Sequence, residues 1–181
     1  MNFIIRQYLV NMETLSGTLN QHLNRKPKRA PKQVLLQAWG RDDCGGWLLL
    51  NGLAKQYRYT DEGKVLVTGF WKKNDVILLP QSFFTGQEAG DYIELIEDSM
   101  LMSFQAKDII HLDTTLQELK LIPAILTVYV ERADLHLRLI GMNTGQALKH
   151  LAAMYPLNRI RNKDIASFLL KDPSSLYRAT R

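Results

Sequence analysis

The chain has 181 residues, of which 46% are hydrophobic, and it carries a net charge of +5. That apolar fraction is normal for a globular protein and excludes a chain that is disordered throughout, and the length predicts one domain or two small ones. The single cysteine, Cys44, cannot form an internal disulfide, which fits a reducing compartment. The charge-free stretches 76–87 and 121–130 are shorter than the roughly 20 apolar residues of a membrane span, so we expect a cytoplasmic protein without one.

The positive charge is concentrated at the two ends of the sequence. Residues 1–33 contain six basic and one acidic side chain, residues 34–156 contain 11 and 15, and residues 157–181 contain six and two. Basic side chains gathered at one end favour a polyanionic partner, because neutralising phosphates requires Lys and Arg on one surface. A solvated face is the alternative interpretation of the same pattern. Pro27 and Pro31 interrupt the N-terminal basic run, which predicts a solvated linker there.

The first half of the sequence predicts a helix followed by short strands. Apolar residues recur every three or four positions over residues 3–23, which is typical of an amphipathic helix. Between residues 33 and 104, short runs rich in Val, Leu and aromatic residues alternate with turn signals, a pattern that predicts an antiparallel sandwich or barrel. The runs 55–60 and 64–70 flank an Asp-Glu-Gly turn and predict a hairpin. The turn signals lie at 43–46, 51–52, 61–63 and 73–75.

After residue 103 the apolar period returns to that of helices. Short helices are predicted over 106–112 and 115–120, and Pro123 suits the first turn of a long helix that ends near Ile140. Asn143 or Thr144 is expected to cap the helix that follows. The long helix carries an apolar stripe wide enough to bury against both the barrel and a second helix, and the alternative is that the helix only covers its own domain. The stripe consists of Leu126, Tyr129, Val130, Ala133, Leu137 and Ile140.

The C-terminal end predicts two short helices joined by a tight turn. Asn162 is expected to cap the first helix and Asp172 the second, which opens with Pro173. Leu176 would close the small core between the helices, beside the small Ala166. In such a unit the second helix can enter the major groove of DNA, where Arg binds guanine edges and hydroxyl groups bind phosphate oxygens.

This C-terminal pattern resembles the helix-turn-helix of the Crp/Fnr family of transcription regulators. The residues that carry the resemblance are Ile165-Ala166-Ser167-Phe168-Leu169, which match I-A-S-x-L, and Pro173-Ser174-Ser175-Leu176-Tyr177-Arg178, which resemble P-E-(T/S)-L-S-R except that Ser174 replaces the Glu and Tyr177 the second-last Ser. Upstream, Asn74-Asp75, Ser82–Gln87 and Glu97–Ser99 resemble the cyclic nucleotide-binding-like β-roll of the same family. The resemblance extends from about Gln33 to Arg181.

The resemblance implies an α+β fold in three parts. Residues 1–112 would form an N-terminal helix and an antiparallel β-roll, similar to a double-stranded β-helix or jelly roll, that acts as a sensor. Residues 113–141 would form a linker and a long dimerisation helix, and residues 142–181 a small helix-turn-helix domain. Double-stranded DNA and a second copy of the chain are the implied partners.

The resemblance also implies which residues face DNA. Ser175 and Arg178 match the family by type, and Ser174 matches by position only. Leu170 replaces the usual turn glycine and would be strained if the turn needs a positive φ. Tyr177 replaces a small hydroxyl residue, and we expect no wing hairpin after the second helix. The expected DNA-binding residues are Arg161, Lys163, Lys171, Ser174, Ser175, Tyr177, Arg178 and Arg181.

The β-roll is not expected to respond to cyclic AMP. Family members that bind this nucleotide hold its phosphate with a Gly-Glu pair and an Arg, whereas residues 76–91 contain neither Lys nor Arg, and residues 88–91 are acidic. Carboxylates in this position would repel a phosphate. The pocket is then either empty or open to an unidentified uncharged or cationic small molecule, and its candidate lining is Phe83, Phe84, Thr85 and Tyr92.

The sequence favours a regulator over an enzyme. Its four histidines, His22, His111, His136 and His150, are scattered without metal-binding spacing, so neither a cupin-like metal site nor another cofactor is expected. The single cysteine likewise disfavours an iron–sulfur cluster. Two functions stay open. The first is a homodimeric DNA-binding regulator, and the second is a β-roll that binds a small ligand or a protein and carries a degenerate helical tail.

Overall fold

The structure is a computed structural model that describes residues 3–36 and 45–179. Its first element, α1 (Phe3–His22), confirms the helix that the N-terminal periodicity predicts. The inner face of α1 packs on the strands and on a long helix further along the chain. Its buried apolar side chains are Ile5, Tyr8, Met12, Leu15 and Leu19.

The described strands form two antiparallel sheets of four strands each. The first sheet has the order β1-β8-β3-β6 and the second the order β2-β7-β4-β5, with neither closed into a barrel. The predicted hairpin is confirmed, because β4 and β5 pair from Leu53↔Lys72 to Tyr59↔Val65. A short helix, α2 (Pro80–Thr85), lies between β6 and β7. The strands are β1 (Lys28–Ala30), β2 (Val34–Leu36), β3 (Gly45–Asn51), β4 (Leu53–Tyr59), β5 (Val65–Lys72), β6 (Asp75–Ile77), β7 (Tyr92–Leu95) and β8 (Ser99–Gln105).

The prediction of a solvated linker around Pro27 and Pro31 was wrong for the residues between them. Lys28–Ala30 forms β1 and pairs with β8 at the edge of the first sheet. Both prolines lie just outside the strand, so neither removes a hydrogen bond from it. Lys28 and Arg29 are exposed, and edge strands tolerate such charged side chains and flanking prolines well.

The turn predicted at residues 43–46 was also wrong in its described part. Gly45 and Gly46 lie within β3, opposite Gln105 and Phe104 of β8. A side chain on Gly46 would collide with the Phe104 ring, so close packing requires this glycine rather than a chain reversal. Asp43 and Cys44 lie outside the described residues.

From residue 106 onward the described chain is helical. The helix predicted to begin at Asn143 is confirmed, since the Asn143 side chain accepts a hydrogen bond of 2.9 Å from the Gln146 N–H. The helix predicted over 115–120 is a 3-10 turn instead, and it ends at Lys120, whose φ of 47° lies in the left-handed region. The α-helices are α3 (Ala106–Thr115), α4 (Leu121–Gly141), α5 (Thr144–Met154), α6 (Asn162–Leu169) and α7 (Pro173–Ala179), with 3-10 turns at Gln117–Leu119 and Leu157–Arg159.

The long helix α4 buries a different face from the one that the apolar stripe predicts. The stripe residues Leu126, Val130 and Leu137 are 44%, 66% and 69% exposed. The prediction that this stripe packs on the barrel was wrong, because a second apolar face of the same helix covers the strands and α1. That inner face consists of Leu121, Ile125, Val128, Leu135 and Leu139.

A buried carboxylate lies where α1, α4 and the strands meet. Asp75 on β6 accepts a hydrogen bond of 2.8 Å from the Lys72 N–H, and the Lys72 Nζ lies 3.8 Å from the other carboxylate oxygen. Arg132 of α4 stacks over the Trp71 ring at 3.8 Å, and Gly69 leaves the space for its guanidinium. Burial raises the pKa of Asp75 to about 6, although Lys72 and Arg132 act in the opposite direction.

Replacing Asp75 should remove a pH dependence from the folding equilibrium. A carboxyl whose pKa is raised on folding stabilises the protein below its unfolded-state pKa, and this stability is lost as the pH rises through the folded-state pKa. For Asp75 the loss should fall between about pH 4 and pH 6 and amount to about 3 kcal/mol. Urea unfolding at a series of pH values measures this effect. Between about pH 4 and pH 6, the free energy of unfolding should decline less for Asp75→Asn than for the unmodified chain.

The matched control is Asp61→Asn, since Asp61 is exposed in the turn between β4 and β5. The control should leave the pH profile of unfolding unchanged. A decline of the same size in Asp75→Asn would show that another group causes it.

Candidate nucleic-acid interface

The two C-terminal helices form where the sequence predicts them, with one difference in capping. Asn162 is the first residue of α6 rather than its cap, and Arg161 occupies the cap position. The second cap is confirmed, because the Asp172 Oδ1 accepts a hydrogen bond of 2.8 Å from the Ser174 N–H and Pro173 begins α7. The hydrogen bonds from Ser174 lower the pKa of Asp172, which keeps this cap ionised.

The turn between α6 and α7 requires a left-handed residue. Leu170 has φ 52° and ψ 43°, and the Lys171 N–H that follows donates to the Ala166 C=O at 3.0 Å. This is the conformation that a glycine adopts without strain and that costs other residues roughly 1–2 kcal/mol. The chain therefore keeps the turn geometry in spite of Leu170, and the packing of α6 and α7 must compensate for the strain.

That packing is a small apolar core between the helices. Ile165, Ala166 and Leu169 of α6 are buried together with Leu176 of α7, as the sequence predicts for Ala166 and Leu176. Because Leu176 is the buried residue of α7, the residues on either side of it are directed outward.

The outward face of α7 brings a guanidinium and hydroxyl groups together. Arg178 is exposed, and its Nη2 lies 3.2 Å from the Ser174 Oγ one helical turn earlier. The half-buried Ser175 donates to the Asp172 C=O at 2.6 Å, and Tyr177 is 59% exposed. Arg178 can donate several hydrogen bonds in a fixed plane, and serine hydroxyls suit phosphate oxygens, so this face can bind the edges and backbone of a nucleic acid.

The other predicted contact residues differ in their positions. Arg161 and Lys163 are exposed at the start of α6. Lys171 is half-buried, and its Nζ donates to the Ile140 C=O at the end of α4 at 3.1 Å. Arg159, another basic residue of this region, instead forms an ion pair with Glu97 on the strand side of the molecule. Arg181 lies outside the described residues.

The predicted ligand-lining residues occupy two separate places. Phe83 of α2 is buried and packs edge-on against Phe84 and Phe104 in the core. Thr85 is exposed at the end of α2. Tyr92 of β7 stacks on Tyr57 of β4 at 5.1 Å instead.

A different cavity lies beside α2, with a volume of about 110 Å³. Its lining includes Gln56 and Arg58 of β4, Asp91 before β7, and Tyr129 of α4. Asp91 is buried, and its carboxylate is surrounded by donors: the Gln56 amide, the Arg58 Nε at 2.7 Å and the Thr68 hydroxyl at 3.3 Å. The sequence signals missed Gln56 and Arg58, because both lie on another strand and far from the stretch 76–91.

Within residues 3–36 and 45–179, no helix has the length and apolar character needed to cross a membrane. In the same ranges, no group of three or more His, Cys, Asp and Glu side chains could hold a metal ion.

An antiparallel β-roll, a long helix and a helix-turn-helix, in this order, make up the fold of Crp/Fnr-type transcription regulators. The chain has this fold, which confirms the resemblance seen in the sequence.

The chain resembles several solved structures, and two of those described below have names that denote a regulatory protein. FixK2 from Bradyrhizobium japonicum is 15% identical, with 87% of this chain and 83% of that chain covered and a TM-score of 0.72. A putative cAMP-binding regulatory protein from Silicibacter pomeroyi is 14% identical, with 94% of this chain and 86% of that chain covered and a TM-score of 0.62. The c-di-GMP responsive global regulator CLP from Xanthomonas campestris is 11% identical, with 94% of this chain and 89% of that chain covered and a TM-score of 0.61. No family model and no curated protein matches the sequence.

Proposed function

We propose that the chain is a transcription regulator that binds double-stranded DNA as a homodimer, acts in the cytoplasm and does not respond to cyclic AMP. Its working parts would be a sensor region over 1–112, a linker and dimerisation helix over 113–141 and a DNA-binding region over 142–181. The observation that carries the proposal is the outward face of α7, where Arg178 and Ser174 are exposed together while Leu176 holds the helix in place.

The charge around this face favours a polyanion. The described part of the C-terminal region, residues 157–179, contains five basic and two acidic side chains. One of the two carboxylates, Asp164, is buried in an ion pair with Lys55, so it contributes little to the outer surface. Arg161, Lys163 and Arg178 can therefore attract phosphates, and within residues 157–179 the exposed carboxylate that opposes them is Asp172, which caps α7.

Arg178→Ala should weaken binding to a selected duplex by roughly 1–3 kcal/mol, because a bidentate contact with a base is lost. Fluorescence anisotropy with a duplex selected from a random pool would measure the loss. The logarithm of the affinity should also fall linearly with the logarithm of the salt concentration. Each phosphate that the protein neutralises should contribute roughly −0.9 to the slope of this line.

Lys73→Ala is the matched control, since it removes one exposed positive charge from the turn between β5 and β6. If the two substitutions lowered the affinity for DNA equally, Arg178 would contribute only general electrostatic attraction and no specific contact with a base. Binding that is indifferent to salt would contradict DNA binding through this surface.

The outer stripe of α4 supports a homodimer. Leu126, Val130, Ala133 and Leu137 are exposed at alternating steps of four and three residues. Apolar residues with this spacing form the contact line, or seam, of a two-stranded coiled coil. Two copies of the same helix can form such a coiled coil with each other. A dimer joined along α4 would present two α7 helices for half-sites about 34 Å apart, one turn of DNA.

Val130→Glu should convert the dimer into a monomer, because a charge in the seam would be buried without a partner. Sedimentation velocity would report the change in mass, and the affinity for a duplex with two half-sites should fall with it. Thr127→Glu, on an exposed position outside the stripe, should leave the mass unchanged. A Val130→Glu variant that stays dimeric would place the interface elsewhere.

The cavity beside Asp91 supports the lack of a cyclic AMP response. Arg58 is the basic side chain among its lining residues, and its guanidinium is already paired with the Asp91 carboxylate. The donors that could hold a phosphate, Gln56, Arg58 and Thr68, thus surround a carboxylate of the protein itself. A cyclic phosphate would have to displace Asp91 or share its donors, and the buried negative charge opposes both.

Calorimetric titration with cyclic AMP should accordingly show no saturable heat up to about 1 mM ligand, which corresponds to a binding free energy weaker than about −4 kcal/mol. The DNA affinity should be the same with and without the nucleotide. Saturation at micromolar concentrations would show that the Arg58–Asp91 pair opens to admit the phosphate.

A β-roll that binds a ligand or protein and carries a degenerate tail is the second candidate. The strained Leu170 turn and the exposed Tyr177 favour it. The exposure of Arg178 and Ser174 supports the regulator instead, because a degenerate tail gives no reason to keep these groups together on a free surface.

A further inference from the structure

Helix α6 covers an open edge of the β-roll. β5 is the last strand of its sheet, with β4 on one side, so the other side exposes backbone groups that need partners. The Val67 N–H donates to the Ser167 Oγ at 2.9 Å, and the same hydroxyl donates to the Val65 C=O at 3.0 Å. One side chain of α6 thus makes the two hydrogen bonds that a neighbouring strand would make.

A second contact fixes α6 by charge. The Lys55 ammonium group on β4 lies 3.3 Å from the Asp164 carboxylate of α6 and 3.4 Å from the Glu94 carboxylate of β7. The side chains of Lys55 and Asp164 are only 10% and 6% exposed. Buried ion pairs add little net stability, but the loss of one partner is costly, so they restrict the contact to one geometry.

Aromatic contacts complete the attachment on the side of α4. The Phe168 ring stacks on the His136 ring of α4 at 4.0 Å, and the His136 Nε2 donates to the Phe168 C=O at 2.7 Å. Phe168 also meets Phe70 of β5 at 5.1 Å. The hydroxyl of Tyr155, at the end of α5, donates to the Phe70 C=O at 3.0 Å.

We propose that Ser167 and the Lys55–Asp164 pair are positioning residues, which fix the angle of α7 to α4 and so select the spacing of the two DNA half-sites. This inference rests on the proposed function. A helix-turn-helix needs neither contact for its own fold, because its core is closed by Ile165, Leu169 and Leu176 on another face. Since α7 packs on α6 as well as on α5, freedom of α6 on β5 is passed on to the DNA-reading face.

Ser167→Ala tests the proposal with little change in volume, and Asp164→Asn provides an independent second variant. Ser103→Ala is the matched control, because Ser103 is an exposed serine on β8 of the other sheet. Spin labels at Glu62 and Ala179, in a Cys44→Ser chain diluted with unlabelled chain, would report the distance between the hairpin and α7. The width of the distance distribution should increase about twofold in both variants, and exchange of the Val67 amide hydrogen should be about tenfold faster in Ser167→Ala.

Selection from random duplexes provides the functional measurement. The unmodified chain and Ser103→Ala should recover half-sites at one spacing, whereas Ser167→Ala and Asp164→Asn should recover several spacings. A distance distribution as narrow as that of the unmodified chain would overturn the proposal. The proposal would also be overturned if both variants lost affinity for DNA by the same factor at every half-site spacing, because that result would show that the residues only stabilise the fold. An unmodified chain that recovers no duplex would contradict the proposed function, while the label distances would still decide whether these residues position α7.

Discussion

Burial of the inner face of α4 against the strands and α1 determines where the other surfaces lie. Ile125, Val128 and Leu135 enter the common core, and Asn11 of α1 donates to both oxygens of the Glu131 carboxylate at 2.8 and 2.9 Å. Each buried side chain of this kind contributes roughly 1.5–3 kcal/mol, so the helix cannot rotate to bury its outer stripe as well. That stripe therefore faces solvent. The same orientation of α4 places His136 in contact with Phe168 of α6.

The same constraint connects the two ends of the chain. Helix α6 lies on β5 and touches α4, while α7 touches α5 and α6, so the outward face of α7 is positioned through contacts that begin in the β-roll. Lys55 on β4 is a buried charge on this path, because its ammonium group pairs with the Asp164 carboxylate of α6. Charged groups are costly to bury, so this pair favours one arrangement of α6 on the sheet. A change in the β-roll thus has a physical route to the orientation of α7.

The candidate DNA-binding unit could be predicted well because its signals are local. Asp172, Pro173 and Leu176 act within a few residues of one another, and their roles follow from cap geometry and helical period. The capping role expected of Asn162 was wrong by one position, as helix ends often are. The cavity beside Asp91 could not be predicted in this way, because Arg58 reaches it from a different strand and sequence spacing carries no record of that pairing.

By itself the sequence determined the order of the elements, the hairpin, the amphipathic helices and the helix-turn-helix pattern, since all of these follow from periodicity and turn residues. The tertiary structure decided which apolar face of α4 is buried, that Lys28–Ala30 forms an edge strand, and that Ser167 pairs with β5. These depend on contacts between distant parts of the chain. A period shows that a face is apolar, but only the shape of the surrounding core decides which of two apolar faces is removed from water.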